Sequence, residues 1–290
     1  MENKLDGNAK NFKRGHYWLN QSHYFVRLKQ VNPETKELNW IDNHCHLSTE
    51  GPAEDELREG IKAGVQRYIN VGTDLKSSKE ALQSARTFPN TVFATAGIHP
   101  HEASKGIDGI YELLSKPEVV AVGECGLDFY YNHSPKEQQT AVFASHIGYA
   151  NDKDMPLVIH TRDAWKETFK ILDSEGMPSR TVFHCFTGGP QEAEMALERG
   201  ALLSFSGIVT FKNAPEVREA LKLSPIERIM IETDSPYLAP IPMRGKKNTP
   251  AYLPYIAERI AEEKSINITD LSKVLWDNTN KFYDLPADNL

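Results

Sequence analysis

A chain of 290 residues, 40 % hydrophobic and 25 % charged, lies near globular averages. No apolar run approaches the ~20 residues that cross a bilayer, so a membrane protein and a disordered chain are both excluded. The formal net charge of −7 supplies no global basic field of the kind that holds nucleic acid non-specifically.

That last exclusion weakens if the chain binds cations. Two divalent ions would bring the total to about −7 + 4 = −3 and concentrate positive charge where an anionic substrate reacts. The opening MENKLDGNAKNFKRGHYW has basic residues but no continuous apolar segment behind them, so no secretory signal is read there and a cytoplasmic location is expected. Cys45, Cys125 and Cys185 are few, odd in number and far apart, which argues against a disulfide framework and for a reducing compartment.

Residues 1–39 form an N-terminal extension. HYFVRLKQV reads as a strand and Asn32-Pro33-Glu34-Thr35-Lys36 as a turn into a second strand near Leu38, giving a hairpin; a flexible polar tail is the alternative. From residue 40 to 290 the pattern changes. Eight short apolar runs alternate with amphipathic stretches of helical length: WIDNHCH (40–46), VQRYINVG (65–72), VFATAGIHP (92–100), VVAVGECGLD (119–128), PLVIHTR (156–162), RTVFHCFTG (180–188), ALLSFSG (201–207) and RIMIETDSP (228–236). Strands separated by helices pair in parallel, because parallel neighbours need a crossover of a dozen or more residues. Eight such units predict a closed (β/α)8 TIM-like barrel.

Three helix starts stand out. Ser134-Pro135 with Glu137 predicts a capped helix, and Thr249-Pro250 predicts another whose Leu253, Ile256, Ala257 and Ile260 share one face. Thr269 is expected to start a last helix, through Leu271, Val274, Leu275 and Phe282, packed outside the barrel.

In a closed parallel barrel, inward side chains at the carboxyl ends of the strands share one mouth. The polar residues of the runs collect there: His44 and His46, His99, Glu124, His160 with Arg162, His184, and Glu232 with Asp234. His44 and His46 are two apart, so strand alternation turns both imidazoles one way and Cys45 the other. The same reasoning turns Cys125 and Cys185 outward, as small residues under the helices. Asp42, on the histidine face, is expected to support the two imidazoles from within. His44, His46, His160 and His184 with Glu124 and Asp234 make an imidazole and carboxylate set with no thiolate, suited to Zn, Mn or Fe, with Mg possible on the carboxylate side. Six ligands exceed one tetrahedral site, so two metals bridged by a carboxylate are expected. Such a pair activates water for hydrolysis, with Asp234, or Glu232 through a water, handling the nucleophile's proton. Arg244, Lys246 and Lys247 in the loop after the last strand, with Arg162, are candidate phosphate contacts. Phe129, Tyr130 and Tyr131 are either a base-stacking platform or an aromatic cap on the barrel.

These strings together resemble the TatD family of metal-dependent deoxyribonucleases: DNHCHL, AGIHPH, GECGLDFY, PLVIHTRDA, VFHCFTGG, ETDSPYLAP and RGKKNTPAYL stand in the family's order over about residues 40–285. The resemblance implies a distorted (β/α)8 barrel with two divalent metals (Mg, Mn or Zn). His44, His46, Glu124 and Asp234 would hold one, and Glu124 would bridge to a second held by His160 and His184. It implies nuclease action on DNA, exonucleolytic in some members; exposed or single-stranded ends are the expected substrate because a mouth at one barrel face admits a splayed strand more readily than a rigid duplex. Thr249 departs from the family's usual acidic residue before the proline. The rival expectation is a small-molecule ester, lactone, amide or phosphoester hydrolase, since related barrels use near-identical ligands.

Overall fold

The eight apolar runs form eight parallel strands in the computed structural model, which describes residues 38–47, 53–131 and 133–287. The strands are β1 (Trp40–Cys45), β2 (Val65–Asn70), β3 (Val92–Ala96), β4 (Val119–Asp128), β5 (Leu157–Arg162), β6 (Thr181–Phe183), β7 (Leu202–Phe205) and β8 (Ile229–Ile231). Each pairs with its successor, and an isolated bridge between Cys45 of β1 and Ser235, just past β8, joins the two ends. At that seam His46 N–H donates to the Ser235 carbonyl at 2.8 Å, and Asp234 N–H donates to the His44 carbonyl at 2.9 Å. The architecture is a nearly closed (β/α)8 barrel. The hairpin expected within residues 1–39 lies, apart from Leu38 and Asn39, outside the described residues.

Among the described residues nine α-helices alternate with or follow the strands: α1 (Ala53–Lys62), α2 (Leu75–Thr87), α3 (Ile110–Leu114), α4 (Lys136–Lys153), α5 (Trp165–Glu175), α6 (Pro190–Glu198), α7 (Pro215–Leu223), α8 (Leu253–Lys264) and α9 (Ile268–Tyr283). None is long and apolar enough to cross a membrane. Their starts are set locally. Asp74 caps α2 by accepting from Ser77 N–H at 2.8 Å. At α4 the expected cap is absent: Pro135 occupies the N-cap, and Ser134 Oγ instead donates to the His101 carbonyl at 2.7 Å and accepts from Ser104 N–H. Thr249 makes no side-chain cap either; Pro250 opens a short 3-10 turn before α8. The apolar face read for α8 is buried at Leu253, Ile256, Ala257 and Ile260.

Strand alternation sorts the core into two layers. Trp40, Tyr68, Val122, Ile159, Phe183 and Ile229 pack outward under the helices. Their neighbours Ile41, Ile69, Ala121, Val158, Val182 and Met230 fill the barrel interior. One expectation is corrected here. Leu271 and Leu275 of α9 join the outer layer as anticipated, but Phe282 belongs with the interior cluster, together with Tyr283 and Leu285. The end of α9 therefore packs against the interior residues rather than outside the barrel, because the interior side chains leave an apolar surface at that end which only a large hydrophobe keeps from water.

Candidate metal centre

β1 delivers His44 and, one residue past its end, His46; the chain after β8 delivers Asp234. The seam hydrogen bonds bring these together. His44 Nε2 lies 3.9 Å and His46 Nε2 3.6 Å from Asp234 Oδ1. His46 Nδ1 is 3.0 Å from the Val71 carbonyl. A carbonyl only accepts, so Nδ1 carries a proton, and Nε2 is the nitrogen turned toward Asp234. Asp42 behaves differently from expectation. Its carboxylate accepts from Thr233 N–H at 2.9 Å, Thr233 Oγ1 at 2.5 Å and His44 N–H at 3.4 Å, and contacts neither imidazole. It fixes backbone across the seam, and burial pushes it up to about 7 against the lowering effect of the Thr233 bonds.

Glu124, on β4, sits at the centre, and its two oxygens face different histidines. Oε2 is 3.3 Å from His44 Nε2. Oε1 is 2.8 Å from His184 Nε2, 3.0 Å from His160 Nδ1 and 3.5 Å from His99 Nε2. Burial alone would raise this carboxyl, but His184 and His99 outweigh it and hold it well below the usual range. Glu232 is revised by its position: fully buried, it lies behind His184, accepting from Cys185 N–H at 2.7 Å and standing 3.3 Å from His184 Nδ1, and it does not line the mouth. Asp234, by contrast, lines the mouth, with its side chain 13 % exposed. Burial raises Asp234, yet His46 and His44 keep it below its ordinary value and therefore ionised.

The donor set fits divalent metal. Three groups, His44–His46–Asp234, His44–His184–Glu232 and His99–Glu124–His160, each place one ligand atom per residue within 4.8 Å of the others. The orphaned atoms are more telling. Among the described residues, both ring nitrogens of buried His44 lack a hydrogen-bond partner; its 3.3 Å approach to Glu124 is an ion-pair distance without hydrogen-bond alignment. A buried imidazole with both nitrogens idle is costly unless a ligand occupies one.

Sequence reasoning missed Asp128. Its Oδ2 lies 3.0 Å from both His160 Nε2 and His101 Nε2, while Oδ1 accepts from the backbone N–H of Tyr130 and Tyr131 at 3.0 and 2.9 Å. Burial would raise it, but the hydrogen bond to His160 and the Tyr131 N–H bring it well below the ordinary range. The signal was present: Glu124 and Asp128 are four apart on one strand and share a face, with Cys125 and Leu127 in the outer layer between them. Cys45 and Cys125 are fully buried in that layer, as expected. Cys185 is not. β6 stops at Phe183, Cys185 takes a φ of 42°, and the thiol lines the mouth 3.2 Å from Ser206 Oγ. Alternation cannot be extended past the end of a strand.

The mouth opens into a cavity of about 1300 Å³ lined by residues that include His46, His99, Asp128, Tyr131, Arg162 and Tyr237. Of the four expected phosphate contacts, Arg162 and Lys247 line it; Arg244 and Lys246 do not. Arg244 donates to the Ala239 carbonyl at 3.1 Å and lies 4.0 Å over the Phe211 ring, and Lys246 lies against Met243. The aromatic run divides. Phe129 packs on the core with Lys136 over its ring, whereas Tyr130 and Tyr131 are exposed beneath the Arg162 guanidinium.

The family model for TatD related DNase matches residues 41–284. The chain belongs to the TatD family of metal-dependent hydrolases. It is 37 % identical over 251 residues to the uncharacterized metal-dependent hydrolase YabD of Bacillus subtilis, covering 84 % of this chain and 98 % of that protein. It is 39 % identical over 220 residues to the 3′-5′ ssDNA/RNA exonuclease TatD of Escherichia fergusonii, covering 72 % and 84 %. Among solved structures, the TatD homologue YjjV of Escherichia coli K12 superposes with a TM-score of 0.80 at 25 % identity, covering 87 % of this chain and all of that one.

Proposed function

We propose that this TatD-family chain is a phosphodiesterase that hydrolyses nucleic acid at exposed single-stranded ends, with two divalent metal ions (Mg, Mn or Zn) held at the barrel mouth. One observation carries the reading: the two oxygens of Glu124 face two different sets of imidazoles, at the floor of a cavity whose rim carries Arg162 and Lys247. His44, His46, Glu124 and Asp234 would hold one ion, and Glu124, His160 and His184 the other. When bound, such ions supply Lewis-acid polarisation of a phosphoryl group and a water nucleophile at neutral pH. The remaining work belongs to the chain. Asp234, ionised and open to the cavity, accepts the proton of the attacking water. Asp128 fixes His160 through Nε2, Glu232 fixes His184 through Nδ1, and the Val71 carbonyl fixes His46. Arg162 and Lys247 contact phosphate oxygens. The exonuclease name of the Escherichia fergusonii relative supports nucleic acid as the substrate class.

The deciding experiment incubates metal-supplied protein with end-labelled single-stranded and duplex DNA and RNA. Cleavage from the ends of single strands, absent in His160→Ala, is expected. Wild-type cleavage no greater than that of His160→Ala with any of the three metals, alongside turnover of small esters or lactones, would overturn the nuclease reading.

A further inference from the structure

Two tyrosines that line the mouth are well exposed, Tyr237 at 62 % and Tyr131 at 43 %, and Tyr130 beside Tyr131 is 56 % exposed. They are not scattered. Tyr130 and Tyr131 follow β4, and Tyr237 lies six residues past β8. In a nearly closed ring of eight strands in sequential order, β4 and β8 stand opposite one another, with three strands between them either way. Tyr131 and Tyr237, which both line the cavity, therefore follow strands on opposite sides of the mouth.

Each side is tied to a different part of the centre. Tyr237 makes an edge contact with His46, ring centroids 6.3 Å apart. Tyr131 makes an edge contact with His101 at 5.6 Å, and His101 shares Asp128 with His160. Glu124 lies between, with one oxygen toward His44 and the other toward His160. The Arg162 guanidinium lies 4.2 Å over Tyr130 and 4.7 Å over Tyr131, a cation stacked on the aromatic rings of this rim, and the Tyr131 ring also lies parallel to His133 with centroids 5.7 Å apart. Rings this exposed contribute little to the core, whereas bases stack on such rings whatever their identity.

We propose that Tyr237 on one rim and the Tyr131–Arg162 pair on the other form a two-sided stacking clamp for the two nucleotides that flank the scissile phosphate. This rests on the nuclease reading and assigns its single-strand selection to named side chains. Two bases can lie on facing rims only if they are unstacked from each other and from any complement, so an intact duplex is rejected by geometry rather than by sequence. The clamp reads the π-face and not the base edge, so it is indifferent to base identity.

The test pairs protein and substrate changes. Single-stranded oligonucleotides carry either normal bases or an abasic residue on one side of the cleaved bond, and KM is measured for wild type, Tyr237→Ala, Tyr237→Phe, Tyr131→Ala and Tyr131→Phe. Each alanine change is expected to raise KM about tenfold on the normal strand. Each phenylalanine change is expected to hold KM near wild type. The decisive outcome is loss of additivity: an abasic residue on one side raises wild-type KM by a similar factor, and that penalty vanishes in the alanine variant whose ring it faced and persists in the other. Anisotropy of a fluorescein-labelled ten-residue oligothymidine on metal-free protein gives the same ranking without turnover. Fully additive abasic and alanine effects, or alanine variants with wild-type KM and anisotropy, overturn the clamp while wild-type cleavage still upholds the nuclease reading. Absence of cleavage by wild type overturns both.

Discussion

Asp128 Oδ2 stands 3.0 Å from His160 Nε2, while the other nitrogen of that ring, Nδ1, stands 3.0 Å from Glu124 Oε1. Asp128 thus engages Nε2 of His160 and leaves Nδ1 as the nitrogen turned toward Glu124, the one that would serve as a metal ligand under the proposed function. Carboxylates placed behind metal-binding imidazoles fix ring orientation and basicity, and their loss typically weakens metal binding 10–100-fold. Asp128→Ala is expected to lower metal affinity by about that factor while folding normally, read by competition with a chromophoric chelator. Unchanged affinity would mean that Asp128 serves only to order the backbone of Tyr130 and Tyr131, whose N–H groups it also accepts.

Glu124 is predicted to be the group on which metal stoichiometry depends. Because its two oxygens reach His44 on one side and His160 and His184 on the other, Glu124→Gln should reduce the bound metal from two ions per chain to one or none. Activity should fall by more than ~100-fold, the scale seen when preorganised charge is removed from a reacting centre. Elemental analysis of purified, metal-supplied protein checks the first part; two ions retained in the variant would rule out a bridging role.

His146 on α4 supplies a pH prediction away from the mouth. Its Nε2 accepts from Ile98 N–H at 3.1 Å, and its Nδ1–H donates to the Val142 carbonyl at 2.7 Å, so the buried ring is neutral. Burial lowers it to about 4, with the Val142 bond pulling weakly the other way. A histidine depressed in the folded state takes up protons mainly on unfolding. Its stabilising contribution is therefore complete above pH 6.5, shrinks as pH falls, and is fully lost below about 4. Between pH 7 and pH 5 the wild type should lose about 2 kcal/mol from this group. His146→Gln, which does not titrate, should lose less over that interval in urea unfolding. Parallel pH dependences of the two proteins would show that His146 is not the group responsible.

How far these positions are legible in the sequence depends on how far strand alternation reaches. His44, Glu124 and His160 lie within β1, β4 and β5, where period-2 reasoning applies, and all three turn toward the centre. Asp128 was equally readable from its four-residue spacing to Glu124. Cys185 was not, because two residues beyond β6 the backbone turns to a positive φ and brings the thiol to the mouth. Arg244 illustrates a different limit. Basic charge and an adjacent glycine mark a loop, but the side chain follows the Phe211 ring, more than thirty positions away, and no local pattern encodes that contact.

The loop's division of labour yields the last prediction. Arg162 and Lys247 line the cavity, whereas Lys246 is turned out against Met243. If cations at the mouth neutralise phosphates, removing one should weaken binding about equally for all sequences and lower the salt dependence by roughly one counterion. Arg162→Ala should do more than Lys247→Ala, because Lys247 is also 3.5 Å from Glu56, which already offsets part of its charge, and because Arg162 additionally lies over Tyr130 and Tyr131. Lys246→Ala should change KM by less than about twofold, as expected for an exposed charge without a fixed partner at the site. Measuring KM for a single strand between low and moderate salt separates the three: equal slopes for all of them would mean that the basic loop acts as a diffuse field, and that the orientation of individual cations at the mouth is irrelevant.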